Sequence, residues 1–303
     1  MLAEALAPIL SYTLFGMALR ASGVVKADLA PTLFRFIFVA TLPMLVFSSI
    51  ARAPLDADAA LLPFAGFLSN SGSALGAYVF GRWRRLSNKD TLSLVLSSSV
   101  INMMLMFPFM LYGIGESGLR DALLFDIGNA VFTATVASAI AYTNGRDGEA
   151  RIGRTLLDML TAPIFIGLVA ALVINLGDLS VPSLVYRITE PLGRATIPLI
   201  LVALGIALSP SAFRRPLPLA PVFFRMAIGL VLGVVLAALF GLEGMTRWVV
   251  IASAGAPIGA GSVALTAIGR FDVERATAAV TLSVAIGFLS VTALLWMAGQ
   301  MTG

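Results

Sequence analysis

The chain has 303 residues, 59% of them hydrophobic and 12% charged, with a mean hydropathy of +0.97. A soluble domain carries about 25% charged residues, so the composition excludes an ordinary soluble protein and points to an integral membrane one. Cysteine and histidine are absent and the net charge is only +4, which excludes disulfides, Cys/His zinc sites, triads that need an imidazole and a nucleic-acid-binding face.

About 20 apolar residues cross a bilayer as a helix. Runs of that order lie between charged or turn-rich breaks at roughly 6–24, 31–50, 59–81, 91–112, 121–142, 156–176, 183–208, 217–240, 246–268 and 276–298. They predict ten membrane spans, of which the third, sixth and eighth are the clearest. The start, "MLAEALAPILSY", carries Glu4 and no Lys or Arg, so it lacks the basic region of a signal peptide and span one is expected to stay as a membrane helix. Span three has a polar centre, "LSNSGSAL", with Asn70. Span four, "SSSVINMMLMFPFMLYGIG", holds Asn102 and Pro108 at mid-depth. In span five Asp126 and Asn129 lie one turn apart on one face; a carboxylate at membrane depth is costly and functional by default, which makes Asp126 a candidate proton carrier or cation ligand, against the alternative of an acid near the outer interface.

Span six is expected to begin at an interfacial Asp158. Span seven carries Arg187, Glu190 and Arg194 ahead of "TIP", and Arg194 is a candidate partner for a substrate anion at the outer side. Arg225 in span eight has two readings: an ion-pair partner for a substrate carboxylate, or a side chain that snorkels to the cytoplasmic interface. Gly229 and Gly233 form a GxxxG pattern, the mark of close helix packing. Span nine contains "GAPIGAGS", Gly255–Ser262, where three glycines and a proline interrupt an uncharged run. Backbone freed in this way at membrane depth is tolerated only in protein or beside water.

The cations order the loops. One alternate set holds Arg20 and Lys26; Arg82, Arg84, Arg85 and Lys89; Arg146, Arg151 and Arg154; Arg214 and Arg215; Arg270 and Arg275. The other holds only Arg52, Arg120 and Arg247. The positive-inside rule places the first set in the cytoplasm of an inner-membrane protein, with both termini extracytoplasmic.

The sequence also repeats itself. "API" at Ala7–Ile9 recurs at Ala162–Ile164, "TLP" at Thr41–Pro43 recurs as "TIP" at Thr196–Pro198, and "IG" at Ile114–Gly115 recurs at Ile268–Gly269, all at offsets of about 155. Asn70 and Arg225 share that offset. The expected organisation is a first repeat over 1–142, a cytoplasmic linker over 143–154 ("TNGRDGEARIGR") and a second repeat over 155–303. Five spans being an odd number, the second copy enters the membrane inverted, as in many secondary transporters. Spans four and nine are repeat partners and both are interrupted, which is the best sequence pointer to a binding site. Half-helix N-termini would draw an anion and C-terminal carbonyls a cation. The candidate substrate ligands are Asn102, Met103, Pro108, Pro257, Gly259, Ser262 and Asn70; Asp126 and Asn129 are the candidates for proton or cation coupling.

"TLPMLVFSSIA", "INMMLMFPFMLYGIGESGL", "TAPIFIGLVAAL", "ATIPLILVALGIAL" and "GAPIGAGSVALTAIGRFDVERATAAVTLS" resemble the auxin efflux carrier family over essentially the whole chain. That resemblance implies a ten-helix, five-plus-five inverted repeat similar to that of bile acid/sodium symporters, with spans four and nine crossing where they unwind. It implies a scaffold of spans one, two, six and seven, a transport bundle of spans three to five and eight to ten, organic-anion substrates, and a homodimer by analogy. The family has glycines between the span-four asparagine and proline; here Met103, Met104, Leu105, Met106 and Phe107 stand there, a greasy, adaptable lining.

The leading expectation is therefore a secondary transporter of organic anions working by alternating access, with no cofactor or metal and with H+ or Na+ as candidate coupling ions. A sodium-coupled symporter of the bile acid type is the alternative. A channel needs a continuous polar pore, and a membrane enzyme needs aspartate-rich or histidine motifs that the chain lacks. The partners expected are the substrate anion and the lipid bilayer.

Overall fold

A computed structural model of the chain describes residues 2–144, 150–208 and 218–302. The linker residues 145–149, with Arg146, and the cations Arg214 and Arg215 lie outside the described residues. Among the described residues the fold is all helix, apart from an isolated antiparallel bridge between Ile101 and Ile258. In chain order the helices are α1 (Leu2–Ala21), α2 (Leu29–Ile50), α3 (Ala57–Trp83), α4 (Asn88–Ser99), α5 (Met103–Gly113), α6 (Glu116–Tyr142), α7 (Ala150–Leu160) and α8 (Pro163–Leu176). They continue with α9 (Ser183–Ala207), α10 (Leu219–Leu239), α11 (Gly244–Ala254), α12 (Gly261–Ile268) and α13 (Val273–Thr302).

Local signals explain where several of them start. Asp56 caps α3 by accepting the Ala59 N–H at 2.9 Å, and Ser87 caps α4 by accepting that of Asp90 at 3.1 Å. Pro163 opens α8, where its missing N–H costs nothing.

The helices α2, α6, α9, α10 and α13 are each long and apolar enough to cross a membrane, and α7 with α8 makes a span bent by 57°. The chain is thus a multi-pass membrane protein. Span six is bent at Thr161–Ala162, where Pro163 starts a new helix. The expectation that α3 reads as a clear span needs correction: its 27 residues suffice in length, but Ser69, Asn70, Ser71 and Ser73 make its centre too polar. The halves α4, α5, α11 and α12 have 12, 11, 11 and 8 residues; at about 1.5 Å per residue none spans a hydrocarbon core of about 30 Å alone.

The chain forms two compact units. The first comprises Met1–Leu55, Phe107–Leu123 and Asp158–Ser209. In it α1 lies against the second half of α9, with backbone nearly touching backbone: a Cβ at Gly16 would fall 2.2 Å from the Val202 carbonyl oxygen, and one at Gly205 2.1 Å from that of Thr13. Arg20 Nη1 donates to the carbonyls of Ile206 and Leu208, both at 2.9 Å, and closes the end of α9. Asn175 Nδ2 donates to those of Ile50 and Ala53 at 2.8 and 2.7 Å and closes the end of α2.

The second unit comprises Asp56–Met106, Leu124–Leu157 and Pro210–Gly303. Its α3 and α6 cross through two glycines: a Cβ at Gly66 would fall 2.1 Å from the Phe125 carbonyl oxygen, and one at Gly128 1.8 Å from that of Pro63. Gly229 and Gly233 of α10 do the same against Ala254 and Ile251 of α11, so the GxxxG pattern serves packing. Gly128→Ala is expected to cost about 1–3 kcal/mol, as overpacking does, because the clash is with backbone that cannot rotate away. A thermal melt in detergent reads it as a lowered midpoint, whereas Gly153→Ala, where nothing lies within 4 Å and alanine is the better helix former, does not lower the midpoint.

Candidate functional site

Both predicted interruptions exist, and they meet. The first helix of one pair, α4, ends at Ser99, and the chain runs extended through Val100–Asn102 before α5 begins at Met103. The matching gap, Gly255–Ala260, separates α11 from α12. The two gaps pair antiparallel. Asn102 N–H donates to the Pro257 carbonyl at 2.9 Å and Gly259 N–H to the Val100 carbonyl at 2.8 Å, bracketing the Ile101–Ile258 bridge. Backbone groups freed by the breaks are thereby satisfied away from water, as membrane depth demands.

Side chains from α6 and α13 finish the pairing. Asn129 Oδ1 on α6 accepts the Ile101 N–H at 3.2 Å, and Ser283 Oγ on α13 accepts the Ile258 N–H at 3.0 Å. Gly259 must be glycine, since a Cβ would lie 2.6 Å from the Ile101 carbonyl oxygen. Gly287 on α13 makes room for the Pro257 ring, whose Cγ would lie 2.1 Å from a Cβ there.

A hydrogen-bonded chain leads away from the crossing. Asp126 Oδ1 accepts from Asn129 Nδ2 at 2.7 Å, Asn129 Oδ1 from Asn70 Nδ2 at 2.8 Å, and Asn70 Oδ1 from Arg225 Nη1 at 2.9 Å. Arg225 has 0% relative exposure, so it does not snorkel. A π-helical turn over Phe223–Ile228 carries it inward; such turns recur at functional positions. Its head donates to the carbonyl of Ser99 at 3.2 Å and to that of Ala254 at 2.5 Å, the last residues of α4 and α11, and to Ser69 Oγ at 3.2 Å. Two amides, a carboxylate and a guanidinium thus tie both interrupted helices to α3, α6 and α10.

Residues 150–297 match the model of a family described as membrane transport protein. Over 292 residues the chain is 23% identical to an uncharacterized transporter of Methanothermobacter thermautotrophicus, covering 95% of each chain. Over 299 residues it is 23% identical to an uncharacterized transporter of Methanocaldococcus jannaschii, covering 95% of this chain and 96% of the other. These matches support a membrane transporter, in keeping with the stretches that resemble the auxin efflux carriers.

The transporter's predicted ligands sort by position. Asn102 is half-buried at the crossing; its Oδ1 accepts the Leu105 N–H at 3.2 Å and caps α5, which leaves its NH2 without a partner among the described residues. Met103 is buried behind it at 3% exposure, and Ser262, fully buried, donates to the Gly259 carbonyl at 2.8 Å. Both shape the crossing from inside. Pro108 is not at the break. The gap in span four lies six residues earlier, and Pro108 is the sixth residue of α5, where the helix continues through it without the bond to the Met104 carbonyl. Arg194 is not at the crossing either. It is exposed in the first unit, on the wall of a cavity of about 640 Å³ that also contains Arg52, Arg120, Glu116 and Glu190. Arg225, read as an anion partner, spends four of its N–H contacts on protein acceptors.

Sequence reading missed Ser283, Gly287 and Ser69. The repeat held a signal for the first: Ser283 stands 154 residues after Asn129, and each caps one gap.

Proposed function

We propose that the protein is a secondary transporter of organic anions, carboxylates in particular, working by alternating access, and that its chain is ten spans in a five-plus-five inverted repeat. The antiparallel meeting of two interrupted helices, at Ile101 and Ile258, carries this reading. Contacts at the repeat offset support it. Asn102 N–H meets the Pro257 carbonyl and Arg225 meets Asn70, each pair 155 residues apart. Arg20 closes α9 at Ile206 and Leu208 while Asn175, 155 residues on, closes α2 at Ile50 and Ala53. A structure whose equivalent residues perform equivalent tasks is what two inverted copies around one axis would give.

In this reading the substrate carboxylate binds at the crossing. The free NH2 of Asn102 supplies a donor, and the positive ends of the half-helices α5 and α12 supply the field. Gly261 at the start of α12 is exposed and Asn102 half-exposed, so an anion can reach both. The first unit holds spans one, two, six and seven, together with Phe107–Leu123 from the end of span four and the start of span five, which supports a scaffold built on those four spans and a moving bundle built on most of the rest. The termini face outward across the inner membrane by the cation pattern.

Asp126 is the proposed proton carrier. Asp126→Asn keeps an acceptor for Asn129 Nδ2 but removes the titrating group, so exchange without a pH gradient is expected to persist while the response to an imposed gradient disappears. A variant that keeps its full gradient response removes Asp126 from coupling. The function itself is tested by counterflow in proteoliposomes against a panel of mono- and dicarboxylates, with melting temperatures alongside, since binding raises stability by mass action. Counterflow of at least one carboxylate, with a matching rise in melting temperature, is the expected result; no flux and no shift across the panel overturns the substrate class.

A further inference from the structure

We propose that Arg225 is the transporter's resident cation, standing where a coupling ion would bind, so that the transport cycle runs without sodium. The inference rests on the transporter reading and deepens it by assigning how the crossing is charged. In transporters built on broken helices, the C-terminal ends of the half-helices are where carbonyls hold a cation. Here those ends are Ser99 and Ala254, and both carbonyls accept from one guanidinium.

The electrostatics balance. A helix C-terminus carries about half a negative charge, so two of them together offset about one unit, the charge of an arginine. Among the described residues no carboxylate touches Arg225; its remaining acceptors are the neutral Asn70 and Ser69, and Asp126 is reached only through two amides. A charge so deep in the membrane is costly unless paired, and the two helix ends are the pair. Its rigid fork reaches both carbonyls at once, which the point charge of a lysine would not do with the same geometry.

The neighbourhood is shaped to hold it. A Cβ at Gly229, one turn along α10, would fall 2.5 Å from Nη2 and 2.1 Å from the Ala254 oxygen, so glycine there leaves room for the guanidinium to approach. Among the described residues the Nε–H and the hydroxyls of Ser99 and Ser253 are buried without a partner; these spare polar groups suit a small polar ion or water once the guanidinium is gone. While it is present, a metal cation at the same carbonyls meets a like charge at contact distance.

The test uses the full chain in liposomes, with sodium chloride exchanged for choline chloride at constant ionic strength. Wild-type carboxylate counterflow and melting temperature are expected to be the same in both salts. Arg225→Ala is expected to lose about tenfold or more of the rate in choline and to melt lower. Millimolar methylguanidinium or sodium then restores part of both in the variant and changes neither in the wild type. Arg225→Lys, which keeps the charge, is expected to retain more activity than Arg225→Ala and to stay indifferent to sodium; it decides the matter if the alanine variant does not fold. Sodium-dependent wild-type transport, or an Arg225→Ala protein with wild-type rate and no stabilisation by either cation, overturns the proposal. If the wild type moves no carboxylate the transport reading fails, and the melting-temperature arm still decides on the resident cation.

Discussion

Asn102→Ala is expected to slow carboxylate counterflow by about one to two orders of magnitude, the equivalent of the roughly 1.5–3 kcal/mol of one hydrogen bond to a charged group, while folded protein still reaches the membrane. The reason lies in how the amide is divided. Its oxygen is committed to the Leu105 N–H, which orients the side chain and leaves the NH2 as the free side-chain donor at the crossing. Alanine removes both functions, so a second variant separates them. Asn102→Asp keeps an oxygen to cap α5 but turns the donor into a negative charge facing an anion. It is expected to melt close to wild type, or higher from the charge at a helix N-terminus, and to transport no better than the alanine variant. Wild-type flux in Asn102→Asp would show that no anion passes this amide.

Asn129→Leu is expected to give the largest loss of stability of any single substitution in the network. Leucine fills a similar volume but leaves the Ile101 N–H and the Asn70 Nδ2 without the acceptor they share. Each orphaned buried donor costs about 1–3 kcal/mol, and the Asp126 carboxylate loses its donor as well. Ser283→Ala serves as the comparison, since it orphans the Ile258 N–H alone and is expected to lower the melting temperature by less. Equal shifts in the two variants would mean that Asn129 holds one group and not three.

The membrane class and the span-nine break were legible from sequence because composition and a Gly/Pro cluster act locally. "GAPIGAGS" announces its own gap. Its partner does not: "SSSVIN" has neither glycine nor proline, and its backbone opens because Asn129, Pro257 and Gly259 supply replacement hydrogen bonds from elsewhere in the chain. Pro108 is the visible breaker, yet α5 runs on through it to Gly113 and the gap lies at Val100–Asn102. Arg225 was ambiguous for a related reason. Whether a long cationic side chain turns inward depends on acceptors contributed by α3, α4 and α11, none of which its own helix reveals. The hydrogen bond between Asp126 and Asn129 was closer to the surface of the sequence, since their one-turn spacing alone places them in reach of each other.

The account depends on the two gaps lying against each other, and the chain's lack of cysteine permits a direct measurement. Ile101 and Ile258 form the bridge position whose flanking residues make the hydrogen bonds, a pair type with Cα atoms about 4.5 Å apart, at the near edge of what a disulfide spans. An Ile101→Cys/Ile258→Cys protein, oxidised in native membranes and cleaved in the loop between the two positions, is predicted to run as one covalently joined species until reduced, while each single-cysteine variant runs as two fragments. Fragments that separate without reductant, under conditions that fully join a close cysteine pair placed within the first unit, would contradict the crossing and the binding site built on it.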